Sequence, residues 1–84
     1  SLDHDSVMKE FSSIAPGVAV GGGVHIGLCS AIGLGASVIH KLSIGKHCVI
    51  GAGSVVVEDI KDYSLAFGVP CRVIRRREKQ EAYL

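Results

Sequence analysis

The sequence lacks tryptophan and has few aromatic residues of any kind. Phenylalanine, tyrosine and tryptophan together account for 5% of its 84 residues. Aromatic side chains bury the largest areas in a protein core. A chain of this length with so few of them has only a narrow core and is marginal as a monomer. We therefore expect copies of the chain to associate.

The sequence also lacks a strong charge of either sign and a long apolar run. Its formal net charge is +1, which gives no general reason to expect a nucleic-acid or membrane partner. No segment is apolar over the roughly 20 residues that a membrane-spanning helix needs, and no signal-peptide pattern precedes the repeats. These absences favour a small soluble domain with no nucleic acid and no membrane among its partners.

The chain has few cysteines, and their spacing does not suggest pairs. The chain has Cys29, Cys48 and Cys71, an odd number with no Cys-x-x-Cys motif. We interpret them as reduced thiols and place the protein in the cytoplasm. Cys48 is expected to point inward as a small core residue.

The sequence does contain a strict repeat with a period of six. This period matches neither the 3.6 residues of a helical turn nor the alternation of an ordinary strand, and it indicates a solenoid of stacked coils. Aliphatic residues or Met occupy every sixth position at Leu2, Met8, Ile14, Val20, Ile26, Ile32, Val38, Ile44, Ile50 and Val56. The sequence therefore predicts an all-β fold built from coils.

Two other positions of the repeat are restricted. The residue four places after each aliphatic anchor is mostly small, as at Ser30 and Cys48, so each repeat has one large and one small inward position. Glycine recurs one place and three places after the anchor. Because glycine has no Cβ and accepts positive φ, we expect these places to be corners of the coil.

The pattern of an aliphatic residue, Gly, two variable residues and a small residue resembles the hexapeptide repeat. This resemblance implies a left-handed parallel β-helix with three repeats to a triangular coil. The left hand comes from the resemblance alone, because parallel strands are otherwise joined by right-handed crossovers. Residues 1–61 then form a β-helix of about three coils. Residues 62–84 form a C-terminal closing segment and a basic tail.

Folding the chain on this coil divides its outward residues among three faces that differ in polarity. The first face carries Val7, Lys9, His25, Gly27, Ser43, Gly45 and Lys61 and is the most polar. The second carries Ser13, Ala15, Ala31, Gly33, Val49 and Gly51, and the third carries Ala19, Gly21, Ser37, Ile39, Val55 and Val57.

The second and third faces meet at a corner formed by Pro16-Gly17, Leu34-Gly35 and Ala52-Gly53, which we call the glycine corner. Exposed apolar surfaces usually mark contact sites. We therefore expect a homotrimer, the simplest closed cyclic assembly, in which these two faces and the glycine corner are buried.

Two pairs of segments resemble one enzyme family more closely. Ile50-Gly-Ala-Gly-Ser-Val-Val-Val, followed by Gly68-Val-Pro-Cys-Arg72, resembles the end of hexapeptide-repeat acyltransferases. His4-Asp5, followed by Ser13-Ile-Ala-Pro-Gly17, resembles the sialic acid O-acetyltransferase-like family, which includes enzymes that N-acetylate nucleotide-linked amino sugars. The resemblance implies transfer of an acetyl group from acetyl-CoA to a sugar or nucleotide sugar.

The resemblance assigns the catalytic roles to the start of the chain. His4 matches the general base that takes a proton from the acceptor hydroxyl or amine, and an imidazole suits this role because it titrates near neutral pH. Asp5 matches the acidic residue beside that histidine and favours the imidazolium that forms during transfer. The resemblance implies no covalent acyl-enzyme and no metal.

The resemblance also assigns the residues that bind acetyl-CoA. Ser13 occupies the position at which some members place a second histidine near the thioester. Leu34 and Ala52 match positions whose backbone contacts the pantetheine arm, and Gly53 permits this close approach. Arg72 is the candidate for a coenzyme phosphate, because a guanidinium binds phosphate through two parallel hydrogen bonds.

Two functions from other classes stay open on the sequence. Gamma-class carbonic anhydrases resemble this fold and bind zinc through three histidines, but His4, His25, His40 and His47 do not include the expected pair five residues apart. A metal assay would separate them. The other is a trimeric scaffold or acyltransferase remnant without turnover, since family members usually carry a sugar-binding domain and further coils before the His-Asp pair.

Overall fold

The computed structural model describes residues 6–77, which form eleven short β-strands joined by turns. This part of the chain contains no helix that is long and apolar enough to span a bilayer. The strands are β1 (Val7–Met8), β2 (Ser13–Ile14), β3 (Ala19–Val20), β4 (His25–Ile26), β5 (Ala31–Ile32), β6 (Ser37–Val38), β7 (Ser43–Ile44), β8 (Val49–Ile50), β9 (Val55–Val56), β10 (Ser64–Phe67) and β11 (Arg72–Arg76).

The first nine strands follow the six-residue repeat and stack as three parallel sheets. Strands β1, β4 and β7 lie on the first face, β2, β5 and β8 on the second, and β3, β6 and β9 on the third. Each residue pairs with the one a full coil later, as Val7 does with His25. The chain is a left-handed parallel β-helix of about three coils, so the predicted fold class is confirmed.

The large residues of the repeat stack on one another inside the prism. Ile26 pairs with Ile44 on the first face, and Ile32 pairs with Ile50 on the second. All four are at most 2% exposed. Burying an aliphatic side chain of this size stabilises the fold by about 1.5–3 kcal/mol. The core is a thin column, because each repeat supplies only one such residue.

The small inward positions carry hydrogen bonds between coils. The Ser30 hydroxyl donates to the carbonyl of Gly45 at 2.5 Å and accepts from the N–H of Cys48 at 2.9 Å. The Ser54 hydroxyl accepts from the N–H of Gly68 at 3.0 Å. These bonds allow hydroxyls to occupy the core, since a buried polar group without a partner is destabilising. Ser30, Cys48 and Ser54 are fully buried, so the predicted inward direction of these positions is confirmed.

A hairpin ends the stack at the C-terminal side. Strand β10 pairs in parallel with β8 and so extends the sheet of the second face, and β11 then pairs antiparallel with β10. The turn between them contains a cis peptide bond before Pro70. The buried Arg77 follows β11, and its guanidinium donates to the carbonyl of His47 at 2.8 Å. The division of the chain into two segments at residue 61 stays a prediction.

Glycine follows five of the aliphatic anchors and lies there against the next part of the chain. At Gly27, a Cβ would be 2.5 Å from the carbonyl carbon of Gly45. At Gly33, it would be 2.7 Å from the backbone nitrogen of Ala52. Backbone atoms held in a sheet cannot move aside for a methyl group without lengthening the hydrogen bonds between coils. The stacking distance therefore depends on glycine at these places.

We expect Gly27→Ala to lower the free energy of unfolding by about 2 kcal/mol or more, because the added methyl group overlaps backbone. The matched control is Gly35→Ala, where a Cβ meets open space but φ is +68°. Its expected cost is about 1 kcal/mol. Urea unfolding followed by circular dichroism measures both. If Gly27→Ala is no more harmful than its control, the coils can separate to admit a side chain.

The cysteines differ in burial. Cys48 and Cys71 are buried, Cys29 is partly exposed, and none forms a disulfide. Burial raises the pKa of the Cys48 thiol and also that of the Cys71 thiol. Because the thiolate is the reactive form, both buried thiols are protected by low access and by a high pKa.

In the folded protein we expect Cys29 to react first with a thiol reagent, and Cys48 and Cys71 to react only after unfolding. The Cys29→Ser variant should remove the fast reaction. Fast reaction of all three thiols at neutral pH would contradict the observed burial.

Folding raises the pKa of both buried thiols. The contribution of Cys48 and Cys71 to the free energy of unfolding is therefore complete below the unfolded thiol pKa of about 8.5 and declines as the pH rises above that value.

Candidate functional site

The glycine corner is an open edge of the prism. Gly35 and Gly53 have φ values of +68° and +71°, and no atom lies within 4 Å of the place that a Cβ would occupy on either. A positive φ favours glycine, and the missing side chain leaves the backbone accessible. A ligand can therefore approach the main chain closely at two successive coils.

The backbone of the glycine corner also offers hydrogen-bond donors. The N–H of Gly35 donates to the carbonyl of Pro16 at 3.1 Å, and the N–H of Gly53 donates to that of Leu34 at 2.8 Å. The N–H groups of Leu34 and Ala52 have no hydrogen-bond partner within residues 6–77. These two donors are one coil apart, about 4.8 Å. They suit a ligand with acceptors distributed along its length.

A shallow groove of about 290 Å³ lies on the second face beside this corner. Its lining includes the small residues Ser13, Ala15, Ala31 and Gly33, with Val49 above them. Ser13, Ala31 and Val49 are stacked in register on successive strands. The groove is predominantly apolar, and the Ser13 hydroxyl supplies a polar group at its lower end. Sites for small ligands commonly combine an apolar lining with a few polar groups.

The upper end of the edge carries a cation. Arg72, the first residue of β11, forms an ion pair with Glu58 at 3.4 Å, and the two side chains are 65% and 67% exposed. An exposed pair of this kind contributes little to stability. The guanidinium therefore stays available to an anion that arrives from solvent.

The predicted site residues fall into two groups. His4 and Asp5 lie outside the described residues. Leu34, Ala52 and Gly53 lie at the glycine corner. Ser13 begins β2 on the far side of the second face, one coil below Leu34, and Arg72 begins β11 above the last coil. The second-face sheet runs from β2, which holds Ser13, to β11, which holds Arg72. Its five strands at about 4.8 Å spacing make this sheet roughly 19 Å long.

Sequence reasoning did not find two neighbours of this edge. Glu58 is the partner of Arg72, although the two residues are 14 positions apart. Phe67 ends β10, and its ring lies over the backbone of Gly51 on the second face. Neither contact follows from the period of six, since both depend on the hairpin after the last repeat. Within residues 6–77 no three His, Cys, Asp or Glu side chains are grouped as metal ligands.

Comparison with known proteins places this geometry among acetyltransferases. A Staphylococcus aureus (strain COL) protein, provisionally named an acetyltransferase, is 47% identical over 55 residues, which cover 66% of this chain and 28% of that protein. A variant of perosamine N-acetyltransferase from Caulobacter crescentus, solved with CoA and GDP-perosamine, matches with a TM-score of 0.81 and 39% identity over 82% of this chain and 33% of its own. The chain carries the β-helix of hexapeptide-repeat acyltransferases.

This acyltransferase β-helix is shared by enzymes with different acceptors. Serine acetyltransferase from Neisseria gonorrhoeae matches with a TM-score of 0.84 and 34% identity, over 90% of this chain and 33% of its own. No family model matches the sequence. The chain spans about a third of the length of these two solved proteins and 28% of the length of the Staphylococcus aureus relative.

Proposed function

We propose that the chain is the coenzyme-binding β-helix of an acetyltransferase, which transfers an acetyl group from acetyl-CoA to a hydroxyl or amino group of a sugar or nucleotide sugar. The order of groups along the second face and the glycine corner carries this proposal. The Ser13 hydroxyl lies at the lower end of the second-face groove, free backbone N–H groups lie at Leu34 and Ala52 on the glycine corner, and a cation lies above them at Arg72. Acetyl-CoA has the same order, with a thioester, then amides, then phosphates.

The choice of a sugar as the acceptor has a separate basis from the choice of the coenzyme. The perosamine enzyme was solved with a nucleotide sugar, whereas a serine acetyltransferase shares the fold equally well. The fold alone therefore does not select the acceptor. The sugar assignment rests on the His4-Asp5 and Ser13–Gly17 segments and on their resemblance to sugar acetyltransferases.

In the proposed reaction, His4 acts as the general base. The acceptor oxygen or nitrogen attacks the carbonyl carbon of the thioester, a C–O or C–N bond forms, and the C–S bond breaks. His4 takes the acceptor's proton and returns it to the departing thiolate of the coenzyme. Asp5 favours the charged imidazolium between these steps. This direct transfer requires neither a metal ion nor a covalent acyl-enzyme.

The remaining site residues bind the coenzyme. The Ser13 hydroxyl donates a hydrogen bond to the thioester carbonyl, and the N–H groups of Leu34 and Ala52 donate to the pantetheine amides. Gly53 keeps the path beside Ala52 open. Arg72 exchanges its exposed contact with Glu58 for a coenzyme phosphate, which it binds through two parallel hydrogen bonds.

We further propose that the protein is a homotrimer and that the coenzyme lies between neighbouring copies. Large apolar side chains are exposed on the glycine corner at Leu34, on the third face at Ile39 and Val57, and in the terminal hairpin at Phe67 and Val69. Contiguous exposed apolar surface usually marks a contact site. A threefold arrangement buries such a wedge in a closed assembly.

Because all three cysteines are free, we place the protein in the reducing cytoplasm.

Calorimetric titration with acetyl-CoA tests the proposed function. We expect saturable binding near one ligand per chain, and acetyl transfer to a sugar or nucleotide-sugar acceptor. The His4→Ala variant should lose transfer but keep nearly normal coenzyme affinity, because the base touches the acceptor rather than the coenzyme. Loss of both by the same factor would show that His4 is not the base. An absence of binding at millimolar acetyl-CoA would favour a scaffold without turnover.

Light scattering tests the trimer. The mass in solution should be three times that of the 8.8 kDa chain. On the third face, Ile39→Lys should shift the assembly towards monomer by placing a charge in the interface. Val7→Lys is the matched control on the first face, since Val7 and Ile39 are 39% and 41% exposed. A stable monomer at micromolar concentration, or equal effects of both variants, would contradict this arrangement.

A further inference from the structure

We propose that the ring of Phe67 is the surface on which the adenine base of the coenzyme stacks, and that Arg72 binds the 3′-phosphate of the same nucleotide. This inference rests on the proposed function and assigns the nucleotide end of the coenzyme to two residues of the terminal hairpin. Phe67 is not among the coenzyme-binding residues proposed above.

The position of Phe67 is the first observation. It is the last residue of β10, where Ser64 and Ala66 point inward and are buried. Phe67 therefore points outward, and its side chain is 55% exposed. Its ring rests against Gly51, where an added Cβ would collide with Cδ1. The ring therefore contacts backbone at Gly51, and more than half of the side chain remains exposed.

The surroundings of this ring are the second observation. Ala15, Gly33 and Gly51 stand one above another on the second face, each just before the glycine corner. An aromatic ring covers only the upper end of this column, beside Ala52. The lower part stays open as the groove lined by Ala15 and Gly33. A coenzyme arm that begins at Ser13, crosses the groove to the glycine corner and follows that corner upward thus reaches the Phe67 ring after passing Ala52.

The position of Arg72 is the third observation. Arg72 is the cross-strand partner of Phe67 in the β10–β11 hairpin. Directly opposed residues of an antiparallel pair have Cβ atoms about 4.5–5.5 Å apart. Phe67 and Arg72 are therefore neighbouring residues at the end of the hairpin, and the guanidinium of Arg72 extends from there to Glu58. Together they suit a ligand that has a flat aromatic base next to a phosphate, as in the adenosine 3′-phosphate part of coenzyme A.

Physical chemistry favours a base rather than another apolar group at this ring. Aromatic side chains and nucleobases stack through their faces, and the interaction tolerates any base. The ring already rests against Gly51, so little side-chain freedom is lost when a base covers it. The exposed Arg72–Glu58 pair is weak and yields readily to a phosphate dianion.

A series of three ligands tests the proposal by calorimetry, namely coenzyme A, dephospho-coenzyme A and 4′-phosphopantetheine. Phe67→Leu should weaken coenzyme A binding about fivefold or more, because it removes stacking but keeps an apolar side chain. Its affinity for 4′-phosphopantetheine, which has no base, should be unchanged. Phe67→Tyr retains the ring and should keep wild-type affinity for all three. Arg72→Gln should weaken coenzyme A but not dephospho-coenzyme A.

The outcomes separate this inference from the proposed function. Equal losses for coenzyme A and 4′-phosphopantetheine in Phe67→Leu, or no loss for either, would overturn the adenine site while leaving coenzyme binding in place. If wild-type protein binds none of the three ligands, the proposed function fails and the adenine site fails with it. If Phe67→Leu does not fold, the proton NMR spectrum of coenzyme A bound to the wild-type protein tests the adenine site instead. Ring stacking predicts upfield shifts of the adenine proton resonances on binding, and unshifted resonances contradict it.

Discussion

The structure depends on hydrogen bonding between coils that are stacked in register. A two-residue strand such as β4 cannot satisfy its backbone groups alone, and it does so through the strands one coil below and one coil above. The same register places Ile26 against Ile44 and Ser30 against Cys48, so backbone pairing and side-chain packing have one geometry. Stability of this kind accumulates between neighbouring repeats. A defect in one coil therefore weakens the coils on both sides.

The corners of the prism are chemically different, although the same backbone geometry recurs in them. Between the first and second faces, the positive-φ residues include Phe11, Cys29 and His47, so side chains cover that corner. His47 also stacks on the ring of Tyr63 at 5.0 Å between centroids. Between the second and third faces, the equivalent residues are glycines. Because the fold tolerates side chains at such corners, it does not by itself require the glycines of the glycine corner. Their effect there is to leave the backbone accessible.

Much of this arrangement is predictable from the sequence, because a period of six determines which residues point inward. The burial of Cys48 and the position of Leu34 and Ala52 at one corner both follow from counting along the repeat. The counting stops at Val56, and the chain then adds part of another coil before it reverses direction between β10 and β11. The pairing of Arg72 with Glu58 and the contact of Phe67 with Gly51 depend on the direction of that hairpin. The roles of His4 and Asp5 rest on resemblance, since these residues lie outside the described range.

The terminal hairpin also changes the sheet edge that the stack presents. A stack of parallel coils ends in exposed sheet edges that could template the addition of another chain. On the second face, β11 runs against the direction of the coils and presents the exposed residues Arg72, Arg75 and Arg76. A reversed strand offers the wrong hydrogen-bonding pattern for another parallel coil, and like charges repel a second copy of the same edge. The hairpin thus disfavours the addition of another coil at this edge of the second face.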